Sequence, residues 1–173
     1  LTLLVPTEKL VFNGSRRNIL VAIIVLLSVQ LVYGAFMAGL KAATAAPTWP
    51  DINGSLGPEW LNTMSPGWKN LVDNKITVQF IHRDIAYLLL IMLVLWIGKA
   101  RKITVNPLLN KTKWLPVVLI LMQVILGIVT VIRSPYSNEL VYFGVAHQLV
   151  AILLLMSVIW MIFLVRKRMD IIK

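Results

Sequence analysis

The stretch Gln79-Phe80-Ile81-His82-Arg83-Asp84 lies where a long polar segment runs into an apolar one. Its counterpart is Gly144-Val145-Ala146-His147-Gln148, near the start of the last apolar run, and the chain has no other histidine. Each histidine begins the same pattern, His-x-x-x-Ala-x-Leu-Leu-Leu. An ionisable side chain set into a membrane helix is costly and points to a function. The repetition therefore predicts a ligand held between two helices by His82 and His147.

The chain around these stretches is strongly apolar, since 58% of its 173 residues are hydrophobic, more than a soluble domain usually carries. Four apolar runs are long enough to cross a bilayer, which takes about 20 residues. We predict an all-α membrane protein with four transmembrane helices and no separate soluble domain. The runs are roughly 19–40, 77–97, 114–132 and 141–165. The predicted parts are a connector (1–18), the membrane domain (19–165, with a long external loop at 42–76) and a basic tail (166–173).

The net charge of +10 indicates topology and argues against a nucleic-acid partner, because 12 of the 17 basic residues fall in 1–18, 98–113 and 166–173. The positive-inside rule places these segments, and both termini, on the cytoplasmic side, or on the matrix side of a mitochondrial membrane. We expect a multi-pass protein of the bacterial plasma membrane or the mitochondrial inner membrane. The absence of cysteine excludes disulfides, thiolate catalysis and iron–sulfur ligation by this chain.

The two halves of the chain repeat each other. Gln30-x-x-x-Gly34 in the first apolar run matches Gln123-x-x-x-Gly127 in the third, and the histidine pattern recurs in the second and fourth. Two tandem helical hairpins of the same direction imply a pseudo-two-fold axis along the membrane normal. We therefore expect the two histidines to face each other across the bundle. Small residues at such positions admit a neighbouring backbone or a flat ligand. Gly34 and Gly127 are therefore candidates for packing against a ligand, and plain helix packing explains Gly34 at least as well.

Two facing histidines match haem better than zinc or copper. Zinc and copper sites use three or four protein ligands, and here only Met37 and Asp84 suggest themselves besides the histidines. Haem needs only axial ligands, and its macrocycle fills apolar space. We predict that His82 and His147 ligate a haem iron. The alternative is a pair of histidines that only hydrogen-bond between packed helices.

Several nearby residues are candidates for contacts with such a haem. Ala86 and Ala151, one turn below each histidine, leave room for a porphyrin plane. The second N–H of each ring is expected to donate to a backbone carbonyl of the preceding turn. Arg83 is a candidate partner for the haem propionates, with Asp84 or a lipid phosphate as its alternative partner. Arg133 is a weaker candidate of the same kind.

The long external loop carries three indoles, Trp49, Trp60 and Trp68. Indole side chains are enriched at the membrane–water interface. We predict that this loop is an interfacial lid, with simple membrane anchoring as the alternative.

The quoted motifs resemble the carboxyl half of the haem A synthase family. The resemblance covers about 19–165, and it departs from the family at Pro47, where an asparagine is usual, and over 55–60. The matching motifs are Asn70-Leu71-Val72-Asp73-Asn74-Lys75-Ile76-Thr77-Val78-Gln79-Phe80-Ile81-His82-Arg83, Thr48-Trp49-Pro50-x-x-Asn53-Gly54, Gln30-x-x-x-Gly34-Ala35-Phe36-Met37-Ala38-Gly39-Leu40, Gln123-Val124-Ile125-Leu126-Gly127-Ile128-Val129-Thr130 and Ala146-His147-Gln148.

The resemblance implies eight membrane helices in two homologous halves, each with a histidine pair that can ligate haem. The family oxidises the C8 methyl of haem O to a formyl group, giving haem A for terminal oxidases, with oxygen from water. Its amino half has an essential glutamate three residues before the first histidine, where this chain has Gln79. The resemblance therefore implies that His82 and His147 ligate haem b, as an electron-transfer centre. It also implies that the catalytic residues and the amino-terminal half lie outside this chain.

Three functions remain open at this point. The first is the haem-b-binding half of an oxidoreductase of the haem A synthase type, which alone would not complete the oxidation. The second is a b-type haem electron-transfer membrane subunit without substrate chemistry, and the third is a membrane scaffold. The expected partners are the lipid bilayer, haem O and haem A, the amino-terminal half, and haem O synthase or oxidase assembly factors.

Overall fold

The computed structural model describes residues 14–101 and 107–165. Within them it contains five α-helices: α1 (Gly14–Gly39), α2 (Lys75–Ala100), α3 (Pro107–Thr112), α4 (Leu115–Ile132) and α5 (Ser137–Val165). The spans Arg17–Gly39, Lys75–Ala100, Pro107–Ile132 and Ser137–Val165 are long and apolar enough to cross a membrane. The prediction of an all-α protein with four transmembrane helices is confirmed.

The four long helices form a bundle of two hairpins. α1 packs against α2 and α4 against α5, and the hairpins meet through contacts of α1 with α5 and of α2 with α4. In the described helices this order places α1 diagonal to α4 and α2 diagonal to α5. Exchanging the hairpins leaves this pattern of neighbours unchanged, which is the predicted pseudo-two-fold arrangement. The two helices that carry histidines therefore oppose each other across the bundle centre.

The apolar side chains divide between an inner core and a bilayer-facing surface. Buried residues from all five helices, including Ile23, Leu93, Trp96 and Met161, pack together in the core. Because lipid tails are as apolar as leucine, such packing holds membrane helices through close contact rather than through removal from water. The outer faces of all four long helices remain apolar, as bilayer contact requires; examples are Val25, Ile91, Ile125 and Met156.

Several helix ends differ from the predicted apolar runs. α2 begins at Lys75 instead of 77, because the Asn74 side chain caps it, and α5 begins at Ser137 instead of 141. Hydropathy marks where a helix enters the bilayer, so it does not detect a polar first turn. α1 likewise begins at Gly14, inside the predicted connector. The rest of the connector (1–13) and the basic tail (166–173) lie outside the described residues.

The short helix α3 was not predicted and connects α2 to α4. Lys113, between α3 and α4, is buried, and its ammonium donates to the carbonyl of Arg101 at 3.2 Å. Arg101 is the C-cap of α2. A cation is favourable beside the carbonyls at the carboxyl end of a helix. Lys113 therefore connects the start of the second hairpin to the end of the first by a hydrogen bond.

Residues 40–74 form the long loop, and the end of the bundle at which they lie is called the loop end. The loop contains three short 3₁₀ helices. A tight turn at Asn53-Gly54 has φ values of 52° and 88°, which asparagine and glycine adopt most readily. A bridge between Ile52 and Ser55 closes this turn. The 3₁₀ helices are Ala42–Ala45, Glu59–Asn62 and Gly67–Leu71.

Two buried asparagines organise the second part of the loop. The Asn70 side chain accepts from the backbone N–H groups of Thr63 and Met64, both at 3.0 Å. Asn74 accepts from two N–H groups of the first turn of α2, and its amide donates to the Trp60 carbonyl at 2.9 Å and to Asn70 at 3.1 Å. The loop is thus joined by hydrogen bonds to the start of α2.

Replacing Asn74 with alanine is expected to destabilise the protein by about 2 kcal/mol, since a helix cap and buried hydrogen bonds are lost together. Thermal unfolding in detergent would show this as a lower midpoint. Asn138→Ala is the matched control, because Asn138 is an exposed asparagine in the first turn of α5. Equal midpoints for the two variants would contradict the role given to Asn74.

Candidate functional site

His82 of α2 and His147 of α5 face each other inside the bundle. Their ring centroids are 6.3 Å apart and the ring planes cross at 61°. At 1.5 Å per residue, His82 lies about 10 Å along α2 and His147 about 15 Å along α5, both measured from the loop end. The 6.3 Å separation of the rings shows that the structure brings the two predicted site residues together.

Each histidine is contacted by a glutamine from the other helix of its own hairpin. The Gln30 amide nitrogen donates to the His82 carbonyl at 2.9 Å and lies 3.3 Å from His82 Nε2. The Gln123 amide nitrogen lies 3.0 Å from His147 Nε2. This differs from the expected bonds between the rings and backbone carbonyls. The repeated Gln-x-x-x-Gly motif was the available signal, but the sequence did not show that the glutamines reach the rings.

The motif glycines pack against the same two rings. A Cβ atom added to Gly34 would lie 3.6 Å from His82 Cε1, and one added to Gly127 would lie 3.1 Å from His147 Cε1. Because glycine has no side chain, the two imidazole rings can lie close to the backbone at these positions. Of the alanines predicted to border a porphyrin, Ala151 is buried and Ala86 is half-buried.

Unpaired polar atoms concentrate at this level of the bundle. In residues 14–101 and 107–165, six buried side-chain nitrogen or oxygen atoms have no hydrogen-bond partner, and one of these is the indole nitrogen of Trp96. Folded proteins rarely leave such atoms unpaired, and exceptions often mark functional sites. The other five are the Oε1 atoms of Gln30, Gln79 and Gln123 and the Nδ1 atoms of His82 and His147.

The ring spacing fits two axial ligands on one metal ion. An imidazole nitrogen binds a metal at about 2 Å and lies about 1 Å from its ring centre, so two rings on opposite sides of a metal have centres roughly 6 Å apart. The observed separation is 6.3 Å. No cluster of three or more His, Cys, Asp or Glu side chains suitable for a metal occurs among the described residues. The donor set therefore fits haem, which needs two axial ligands from the protein.

One face of α2 fastens the long loop beside this site. Gln79, Arg83 and Tyr87 are four residues apart, so their side chains share a face. The buried Gln79 amide donates to the Ala46 carbonyl at 2.8 Å, and the Tyr87 hydroxyl accepts from the Trp49 indole at 3.1 Å. Arg83 donates to the carbonyls of two loop residues, Pro50 and Asp51. The loop thus follows α2 for two turns, from Ala46 to Asp51.

The loop also reaches the second hairpin. The buried Ser134 hydroxyl, just beyond α4, donates to the Ala43 carbonyl at 2.9 Å. The loop therefore bridges both hairpins at the loop end. Its three indoles keep substantial exposure, from 43% for Trp49 to 62% for Trp68, which also suits an interfacial position.

Arg83 and Arg133 have polar partners at the loop end, one in the long loop and one in the first turn of α5. Arg83 binds the long loop, as described above, and Arg133 forms an exposed ion pair with Glu139 at 3.4 Å. The Thr48 hydroxyl, the backbone N–H of Gly54 and the Arg83 charge lower the pKa of Asp51. Asp51 is therefore ionised at neutral pH. It lies beside the Arg83 guanidinium, which donates to the backbone carbonyl of Asp51.

Comparison with known proteins shows the family of the chain. Residues 6–159 match a family model described as cytochrome oxidase assembly protein. The chain is 32% identical over 150 residues to a haem A synthase of Wolbachia pipientis subsp. Culex pipiens, covering 86% of this chain and 42% of that protein. It is 37% identical over 138 residues to a haem A synthase of Bradyrhizobium diazoefficiens, covering 77% of this chain and 36% of that protein.

The chain thus spans less than half the length of these relatives. No solved structure matches it. The family match covers all four membrane-crossing helices for most of their length, including both histidines and both glutamines. We conclude that the chain is an integral membrane protein that belongs to the cytochrome oxidase assembly protein family.

Proposed function

We propose that this chain is the haem-b-binding carboxyl-terminal half of a haem A synthase. The observation that carries the proposal is the pair of facing histidines, whose ring centroids are 6.3 Å apart. His82 and His147 would hold the haem iron, and Gly34 and Gly127 leave space against the rings. The names of the relatives support haem A synthesis as the process that the complete protein serves.

Bound haem b would supply one-electron transfer at this level of the bundle. In the complete enzyme, we propose, the C8 methyl of haem O is oxidised to a formyl group with oxygen from water, and the four electrons and four protons released pass to an external electron acceptor and to solvent. The apolar bundle would exclude water from the iron, and the long loop would cover the site at the loop end. The nearest aqueous boundary would then be the interface that carries the exposed indoles.

Gln79 supports an electron-transfer role for this half. Its side chain is fully buried, and its amide donates to the Ala46 carbonyl at 2.8 Å. Unlike a carboxylate, an amide does not take up a proton near neutral pH. Gln79 would therefore hold the loop, and acid–base chemistry would fall to the other half. The same observation favours the second candidate, a b-type haem electron-transfer subunit without substrate chemistry.

The proposed orientation places the loop end outside and both termini on the cytoplasmic side. Five basic residues lie at or near the opposite end of the described bundle: Arg17, Lys99, Arg101, Lys111 and Lys113. The positive-inside rule assigns that end to the cytoplasm. The proposed partners are the bilayer, the amino-terminal half, haem O and haem A, and haem O synthase or oxidase assembly factors.

Arg83 is proposed to contact a haem propionate with its remaining donors. A guanidinium has five N–H donors, and the two bonds to the loop use only part of them. Because the Arg133 ion pair is exposed, Arg133 is the weaker candidate for this role.

Titration of the purified chain with haem in detergent tests the proposal. We expect one haem per chain and the absorption spectrum of low-spin b-type haem. A folded chain that binds no haem would refute the proposal. Co-expression with the amino-terminal half of a matched haem A synthase then separates the two candidates. If the chain is half of a haem A synthase, haem A should form. If it is an electron-transfer subunit, no haem A should form.

A further inference from the structure

We propose that one outer face of α5 binds the amino-terminal half of the proposed enzyme inside the bilayer. Gly144, Gln148 and Ile152 are spaced four residues apart in α5, so they share a face. These three residues are called the open face below. The proposal rests on the proposed function, because it takes the amino-terminal half as the partner. It goes beyond that function by assigning the surface at which the two halves meet.

By the internal repeat, the open face corresponds to the face of α2 that holds the long loop. Its positions lie three residues before, one residue after and five residues after the histidine of each helix. On α2 these positions bind the loop segment 46–51 by hydrogen bonds. The connection before α5, residues 133–136, is too short to fold back in the same way. The corresponding pairs are Gln79 and Gly144, Arg83 and Gln148, and Tyr87 and Ile152.

The described residues leave the open face uncovered. A Cβ atom added to Gly144 would meet nothing within 4 Å. Gln148 is exposed, and Ile152 is 47% exposed. Small residues let the backbones of membrane helices approach closely. A neighbouring helix can therefore reach the backbone at Gly144 while the two larger side chains pack beside it.

Gln148 places an amide group where lipid cannot form hydrogen bonds with it. The residue lies seven positions into the apolar run that begins at 141, which is about 10 Å at 1.5 Å per residue. Its side chain has no hydrogen-bond partner among the described residues and is too short to reach water from that position. An unpaired amide in hydrocarbon is costly, and a polar group on a neighbouring helix removes that cost. The open face therefore suits protein better than lipid.

The amino-terminal half is the partner that these observations favour. The chain spans less than half the length of its relatives, so a protein of their length holds further residues tethered to this bundle. Tethering raises the effective concentration of a partner, so a small face is enough for binding. The open face is small and lies within a membrane-crossing helix. It therefore fits a tethered membrane partner better than a separate soluble protein.

Two leucine variants test the open face. Gly144→Leu fills the space beside the backbone, and Gln148→Leu removes the amide. Gly98→Leu is the matched control, because Gly98 is a glycine of α2 where an added Cβ also meets nothing within 4 Å. Each chain would be co-reconstituted in lipid vesicles with the amino-terminal half of a matched haem A synthase, and fluorescence energy transfer would measure their association.

We expect Gln148→Leu to weaken association by about three- to tenfold, the worth of one hydrogen bond between membrane helices. Gly144→Leu should weaken association further, because its side chain keeps the two backbones apart. Gly98→Leu should associate as the wild type does. All three variants alone should bind haem as the wild type does, since these positions lie on outer faces of the bundle.

A spin label locates the contact independently of these variants. Because the chain has no cysteine, a single introduced cysteine carries the label. Ile152→Cys tests the open face and Leu88→Cys on α2 is the control, since both residues are 47% exposed. The electron paramagnetic resonance (EPR) signal of the label, recorded with oxygen as the relaxing agent, measures its exposure to lipid. We expect the amino-terminal half to lower oxygen access at position 152 and not at position 88.

The outcomes separate this inference from the proposed function. Unchanged oxygen access at position 152, or equal association of Gly144→Leu and Gly98→Leu, would overturn the proposed surface. Oxygen access at position 152 that falls as the chain-to-lipid ratio rises, without the amino-terminal half, would identify a second copy as the occupant and overturn the choice of partner. Haem binding by the chain alone tests the proposed function without any partner. A folded chain that binds no haem would refute that function.

Discussion

Replacing either histidine with alanine is expected to abolish the low-spin spectrum of the haem-loaded chain. The chain contains only two histidines, so no third imidazole can replace a lost ligand. Partners of metal ligands are worth about 10–100-fold in metal affinity, so loss of a ligand should cost at least about 100-fold. Haem titration and the optical spectrum of His82→Ala and His147→Ala would measure both effects.

Glycine variants with added imidazole provide the control for this prediction. His82→Gly and His147→Gly leave space for a free imidazole, which should restore the low-spin spectrum if each histidine acts as a ligand. A His82→Ala or His147→Ala protein with an unchanged low-spin spectrum would contradict the ligand assignment. Loss of folding would be recognised separately, by aggregation during size-exclusion chromatography in detergent.

Gly127→Ala is expected to weaken haem binding by about tenfold, whereas Gly34→Ala should bind haem nearly as the wild type does. The new methyl at position 127 would lie 3.1 Å from His147 Cε1, closer than ordinary contact, so the ring must shift by a few tenths of an ångström. At position 34 the corresponding distance is 3.6 Å, which is ordinary contact. Haem titration and EPR spectra of both variants would measure the difference.

The two alanine variants control for each other in stability. Each variant replaces a glycine inside a helix with alanine. This replacement favours the helix by up to about 1 kcal/mol. A lower haem affinity in Gly127→Ala therefore reflects the position of the ring and not a weaker helix. Equal haem affinities in the two variants would show that the His147 ring does not depend on Gly127 for its position.

Hydropathy predicted the four membrane helices because each must present an apolar surface to lipid along its whole length. It could not find α3, which has only six residues. It also missed the polar first turn of α5. The contacts of Asn74 with Trp60 and Asn70 also could not be predicted, because they depend on the fold of the loop.

The facing of His82 and His147 could be predicted because a repeat in sequence implies a repeat in space. The hydrogen-bond partners of the two rings could not be predicted, since a ring nitrogen can bond to a local carbonyl or to a distant side chain. The 52 residues between Gln30 and His82 hide that contact from any local pattern. The same holds for Arg83, whose bonds to the carbonyls of Pro50 and Asp51 depend on the path of the long loop.

Pulsed EPR of the haem-loaded chain labelled with ¹⁵N-histidine tests whether His82 and His147 ligate the haem. Because the chain has two histidines, the label enters only the two proposed ligands, while the haem keeps ¹⁴N. We expect strong ¹⁵N couplings from two imidazoles to one low-spin ferric iron, with the ring planes crossed. Couplings to one histidine, or no ¹⁵N coupling at all, would show that the facing rings do not ligate the haem.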